Sequence, residues 1–248
     1  MESDILDMGR GKDTNIAAQK RLLNALAEQI KLPLLQIARS AELALQQGST
    51  EALNNIELTA DSALKLLDSY LLSLRLNQAS TDIFLEPVSI AAVLNDTAHE
   101  LSKLASSYGC QLELHLSGRY EPIMANRAGL EAALTSLGFV FIEAVSASAS
   151  EPKPVVKLAA HRGKQGIVAG TFAGNELLTA DMYHRARRLH GRVRQPLTGL
   201  TSTAGAGVFI ADSLLASMST RLRIAHHQKL AGLAATFQPS KQLNLVLS

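Results

Sequence analysis

Residues 15–47 contain no glycine and a single proline, Pro33. Leu22, Leu23, Leu26, Ile30, Leu34, Ile37, Ala41 and Ala44 recur there at steps of three and four. That period places them on one face of a long helix. Pro33 removes a backbone donor and crowds the preceding turn, so it predicts a kink. Gln46-Gln-Gly-Ser-Thr50 reads as a turn, with Ser49 or Thr50 free to cap the next helix. That second helix is predicted from about Thr50 to Asn77. Ile56, Ala60, Ala63, Leu64, Leu67, Tyr70, Leu71 and Leu74 form its stripe, and Glu57, Asp61, Lys65, Asp68 and Arg75 its polar face. Two such helices make an antiparallel hairpin. One hairpin is too thin to bury both stripes, whereas two of them close a four-helix bundle. The expectation is a homodimer through residues 15–78, and the alternative is a hairpin packed on the rest of its own chain.

The pattern changes after Gln78-Ala-Ser-Thr-Asp82, which is polar, aperiodic and reads as a linker. Short strands are predicted at 83–88, 111–116 and 123–124, at 155–160 with 167–172 around Arg162-Gly163, and at 221–226, 230–237 and 243–247. Helices are predicted at 91–108, at 127–145 with Asn126 as cap, at 180–189 and at 208–218, and residues 192–207 read as loop. The mixture lacks strict βαβ alternation and argues for an α+β chain with a mixed sheet covered by helices on one face. The expected division is a tail at 1–14, a helical hairpin at 15–80 and an α/β sandwich at 81–248.

Composition narrows function by exclusion. Of 248 residues, 47% are hydrophobic and 19% charged, enough apolar material for a core and too much for global disorder. The net charge of +2 gives no bulk attraction for nucleic acid. Cys110 is the one cysteine, so neither a disulfide nor a cysteine-rich zinc site is expected. The N-terminus lacks the basic start and apolar core of a secretory signal. The longest apolar run, Leu130 to Ala147, is interrupted by Glu131, Ser136, Gly138 and Glu143, so a cytoplasmic protein with no membrane partner is expected. His226 and His227 are neighbours on a predicted strand and point to opposite faces, so they do not jointly hold one metal ion. The basic run HRARRLHGRVR at 184–194 reads as a solvated helix end and loop, the alternative being a dock for phosphate, nucleic acid or an acidic partner; its lack of interleaved aromatics argues against single-strand binding.

The segment Glu28-Gln29-Ile30-Lys31-Leu32-Pro33-Leu34, the helix Leu130 to Glu143, Gly170-Thr-Phe-Ala-Gly174 and Thr203-Ala-Gly205-Ala-Gly207 occur in the order in which bacterial sensor histidine kinases carry their motifs. In element order and in these motifs the chain resembles the core of that family, a dimerising helical hairpin followed by a GHKL-type ATP-binding domain, in degenerate form. The resemblance implies a phosphoacceptor segment of the form His-Glu-x-Arg-x-Pro-Leu. Here Pro33-Leu34 and the charge at Lys31 remain, but Glu28 stands at the histidine, and residues 1–98 contain no histidine. A carboxylate does not replace imidazole as the nucleophile for a stable phosphoramidate.

The resemblance also implies asparagine oxygens for Mg²⁺ near Ser136 and Val140, and a carboxylate at Gly170 for the adenine amino group. Gly174, Gly205 and Gly207 would be the remnants of its phosphate loops. Phe172 would stand where a purine lies, and Glu143 where a basic residue is usual. Each lost polar contact costs roughly 1–3 kcal/mol, together about two to four decades of affinity. Nucleotide and Mg²⁺ binding are therefore expected to be weak or lost, with no catalytic residue and no metal site. The implied role is a dimeric signalling or scaffold module that presents Glu28, Lys31 and Pro33 to a response-regulator receiver domain or a partner kinase. The alternatives are an active ATP-dependent kinase, or a phosphotransferase using a later histidine.

Overall fold

A computed structural model describes residues 34–35, 37–46, 50–78, 83–146, 153–174, 176–189 and 204–240. Residues 34–35 and 37–46 are helical (α1). They are followed by α2 (Thr50–Gln78), β1 (Glu86–Val88), α3 (Ile90–Ser107), β2 (Gln111–Leu116), β3 (Ile123–Ala125) and α4 (Arg127–Ser146). Then come β4 (Val155–Gly163), β5 (Gly166–Phe172), α5 (Glu176–Leu189), α6 (Ala204–Ser217), β6 (Arg223–His227) and β7 (Leu230–Phe237). The tail, most of the first predicted helix, the turn at 47–49, the linker at 79–82 and the strand expected at 243–247 lie outside the described residues.

The five-stranded sheet has the order β2-β4-β5-β7-β6. β2 runs parallel to β4, and the remaining pairs are antiparallel. β1 and β3 form a separate antiparallel ladder. β1 is three residues long, shorter than the run expected from Ile83, because β3 offers only three residues to pair with.

Leu158, Ala160, Ile167, Ala169, Leu233, Ala235 and Phe237 project from the inner face of the sheet into the main core. α3, α4 and α5 lie on that face. Ser89 caps α3 by accepting from the Ala92 amide at 3.3 Å, and Asn126 caps α4 through the Gly129 amide at 2.9 Å, as its position predicts. α4 is the helix among the described residues long and apolar enough to cross a membrane. Its residues from Ala133 to Ile142 are all buried within the fold. α6 is likewise largely apolar apart from Asp212 and Ser213, and it is enclosed by α2, α4 and α5. It starts at Ala204, four residues before its expected start, because the Ala-Gly-Ala-Gly stretch packs inside the helix; Gly205 and Gly207 are buried.

α2 docks on α6 and α4, with a lighter contact to α3. Its predicted stripe divides. Ala63 and Tyr70 turn inward with Leu66 and Ser73, whereas Leu64 is 58% exposed and Leu71 43% exposed. The helix carries leucines on more than one side, so among the described residues one apolar face is covered and Leu64 and Leu71 on another stay exposed.

The sheet is folded sharply toward its outer face. A Cβ built on Gly170 of β5 would lie 2.1 Å from the Leu233 carbonyl oxygen, and one on Gly232 of β7 would lie 2.1 Å from that of Thr171. Both glycines lie in outer-face rows of the sheet register. Their missing side chains let β5 and β7 approach more closely than any other residue allows. Ala159, Val168, Phe172 and Ala234 collect in the resulting trough as a second small core, with Ala225 and Leu230 packed against it.

Candidate nucleotide site

The positions matched to a nucleotide site come from α4, the end of β5 and the start of α6. On α4, Val140 is 0% exposed and belongs to the main core. Ser136, one turn earlier, keeps an oxygen but is 1% exposed, and its Oγ has no hydrogen-bond partner. It lines a crevice of about 30 Å³ between α2, α3 and α4, together with Lys65, Glu100, Thr135 and Phe139. Lys65 Nζ pairs with Glu100 Oε1 at 2.9 Å, and Thr135 Oγ1 donates to Glu100 Oε2 at 3.0 Å. Glu143 is half-buried near the C-terminal end of the same helix.

At the end of β5 the strand period decides which residues are available. Ile167, Ala169 and Ala173 face the main core, whereas Val168 and Phe172 face the outer trough. Gly170 shares the outer face with Ala234 of β7. The Phe172 ring lies 5.3 Å from that of His227 on that side. The expectation that Phe172 fills a purine position is therefore corrected: it lies across the sheet from the helices. Thr171, between these two residues, points inward. It is fully buried, and its Oγ1 is without a partner. The alternation of a strand marks Thr171 as the inward position, a signal that fixed motif spacing overrides when the sequence is read alone.

Gly174 comes after β5 with φ +45° and open space around it, a geometry that suits glycine at the turn into α5. Gly205 instead packs on α5, where an added Cβ would lie 3.1 Å from Arg185 Cβ. Gly174 thus lies at the strand-to-helix turn, whereas Gly205 and Gly207, read as loop from the sequence, lie in the first turn of α6, with Gly207 buried beside Val208. The oxygen set that Mg²⁺ and adenine require does not fit the matched residues: Val140 has no ligand atom, and Gly170 faces the wrong side of the sheet. Glu28, Lys31 and Pro33 lie outside the described residues. Within the basic run, Arg185 is paired with Asp181 at 2.8 Å, and the Arg187 guanidinium sits 5.8 Å from the centre of the Tyr183 ring. Cys110 is buried, and burial pushes its thiol pKa up.

No protein-family model and no curated protein matches the sequence. Solved structures do. Full-length ShkA in complex with AMPPNP is similar over 91% of this chain and 46% of its own, with a TM-score of 0.50 and 17% identity. The histidine kinase AdeS of Acinetobacter baumannii is similar over 85% of this chain and 97% of its own, at TM-score 0.48 and 10% identity. A histidine kinase from Burkholderia phymatum STM815 is similar over 87% and 98%, at 0.45 and 15%. With its mixed sheet, its helices on the inner face and the match to ShkA, the chain has the fold of a histidine kinase core.

Proposed function

We propose that this chain is a histidine-kinase-like signalling module that has given up phosphoryl chemistry and works by binding. In this reading it is a homodimer through a hairpin spanning residues 15–78. It presents Glu28, Lys31 and Pro33 to a response-regulator receiver domain or to a partner kinase. The observation that carries the reading is Val140, wholly enclosed in the core where a nucleotide site needs a metal-ligating oxygen. Gly170 and Phe172 support it by turning away from the helical layer. The dimer is supported by the second apolar face of α2: Leu53, Leu64 and Leu71 remain 57%, 58% and 43% exposed, with Leu34 and Leu35 of α1 equally open. Large exposed leucines repeated along one helix suit an association surface.

Incubation with γ-labelled ATP and Mg²⁺ should leave no phosphate on the protein, and a titration should give a dissociation constant in the millimolar range or weaker. Covalent label, or micromolar binding, overturns the reading in favour of an active kinase. Light scattering should report a dimer that Leu64→Glu combined with Leu71→Glu converts to monomer. A monomeric wild type would remove the hairpin assembly. Capture of a receiver domain should be lost in Lys31→Glu, and unchanged capture would displace the docking face from that segment.

A further inference from the structure

Three histidines far apart in the chain meet on the outer face of the sheet: His115 on β2, His161 on β4 and His227 on β6. β2 and β6 are opposite edges of the sheet, yet Nδ1 of His115 and Nε2 of His227 lie 2.6 Å apart. The fold at the Gly170–Gly232 seam brings them together. The His161 ring stacks on His227 at 5.3 Å between centroids and 26° between planes, and His227 is 6% exposed above Phe172. His161 Nδ1 is buried without a partner. The rings are stacked and hydrogen-bonded rather than converging on a point. Among the described residues, no group of three or more His, Cys, Asp or Glu side chains is placed to hold a metal ion.

A neutral imidazole has one N–H and one lone pair on its ring nitrogens. The contact between His115 and His227 uses one of each. A single added proton still leaves a donor facing an acceptor. A second sets two N–H groups against each other at 2.6 Å. The surroundings oppose that charge. β4 contributes Lys157 and His161, and β6 contributes Arg223. Among the described residues the carboxylate beside this cluster is Glu113 of β2, already paired with Lys157 at 2.9 Å. β5 and β7 face the cluster with Val168, Phe172 and Ala234, none of which titrates.

We propose that His115, His161 and His227 form a proton-operated clasp that ties the two edges of the sheet together at neutral pH and releases one edge from the other when acid charges the second ring. Burial first, then neighbouring cations, lowers the pKa of His161 and of His227, so both rings stay neutral in the closed form until the pH falls below the ordinary histidine value. The open form takes up protons more readily, so closure is complete above about pH 6.5 and is lost as the pH falls below it. His226, on the other face of β6, meets Glu176 of α5 at 2.6 Å.

Amide hydrogen exchange of the full chain, corrected for the intrinsic effect of pH, measures the opening directly. Between pH 7.5 and 5.5 the amides of β6 should open roughly tenfold more often, while those of α4 hold. The combined variant His115→Gln with His227→Gln should remove the pH dependence. Unchanged β6 protection in the wild type, or the same pH response in the variant, overturns the proposal. Nitrogen resonances of the wild-type imidazoles give a second measurement that needs no variant. His227 should titrate below the ordinary histidine range, and titration of its ring at the ordinary value overturns the clasp.

Discussion

Lys65 of α2 and Glu100 of α3 pair at 2.9 Å, and Thr135 of α4 donates to the second oxygen of the same carboxylate at 3.0 Å. One carboxylate thus links three helices at the crevice where α2 meets the sandwich. The Lys65 side chain is 47% exposed, so solvent screens the pair. Lys65→Ala should cost less than about 1 kcal/mol in urea unfolding. The next residue, Leu66, is 3% exposed, and Leu66→Ala should cost about 2–4 kcal/mol. A larger loss for Lys65→Ala than for Leu66→Ala would mean that charge, and not packing, seats α2.

Val140→Asn restores the residue type that a nucleotide site would use. Because Val140 is fully enclosed, the amide enters the core without a partner. The expected result is a loss of about 2–4 kcal/mol of stability with no gain in ATP affinity, read by thermal unfolding and equilibrium dialysis. A measurable rise in ATP binding would show that the position opens to a ligand.

The pKa of Glu131 is raised, first by burial and then by repulsion from Glu100 and Asp96, against which Arg127 acts. A raised folded-state value means that the folded chain holds its proton longer than the unfolded one. The stability this confers is present below the unfolded value and is lost as the pH rises through the folded one. Glu131→Gln should therefore stabilise the protein at pH 7 by about a few tenths of a kcal/mol, solvent screening keeping it small. The difference should vanish below about pH 4. Equal effects at both pH values would assign it to packing.

Gly170→Ala and Gly232→Ala each place a methyl group 2.1 Å from a backbone oxygen of the neighbouring strand. Neither strand can yield without straightening the sheet. Each substitution should cost about 3 kcal/mol or more. Each should also expose the small outer core of Val168 and Phe172, detectable as faster hydrogen exchange in β5.

Much of the sandwich was legible because its signals are local. Asn126 sits at the start of α4 with its cap bond formed, the alternation at 111–116 is β2, and the hairpin at 155–172 is β4 with β5. The adjacent histidines point to opposite faces as expected, His226 toward Glu176 and His227 toward His115. The start of α6 was misplaced because alanine and glycine read as loop unless the surrounding helices that bury them are known. The candidate site was legible as positions in order, and not as directions: motif spacing selected Gly170 and Phe172, whereas the inward side chain is Thr171.

Periodicity along the chain fixed which segments are helices, which are strands and where most of them end, because hydrogen bonds within an element and the alternation of its side chains depend on neighbours a few residues away. Which face of α2 is covered, which side of β5 lies against helices, and that His115 meets His227 across 112 positions were decided by packing. Such contacts depend on how closely β5 and β7 approach at Gly170 and Gly232, and that distance is set by atoms remote in sequence.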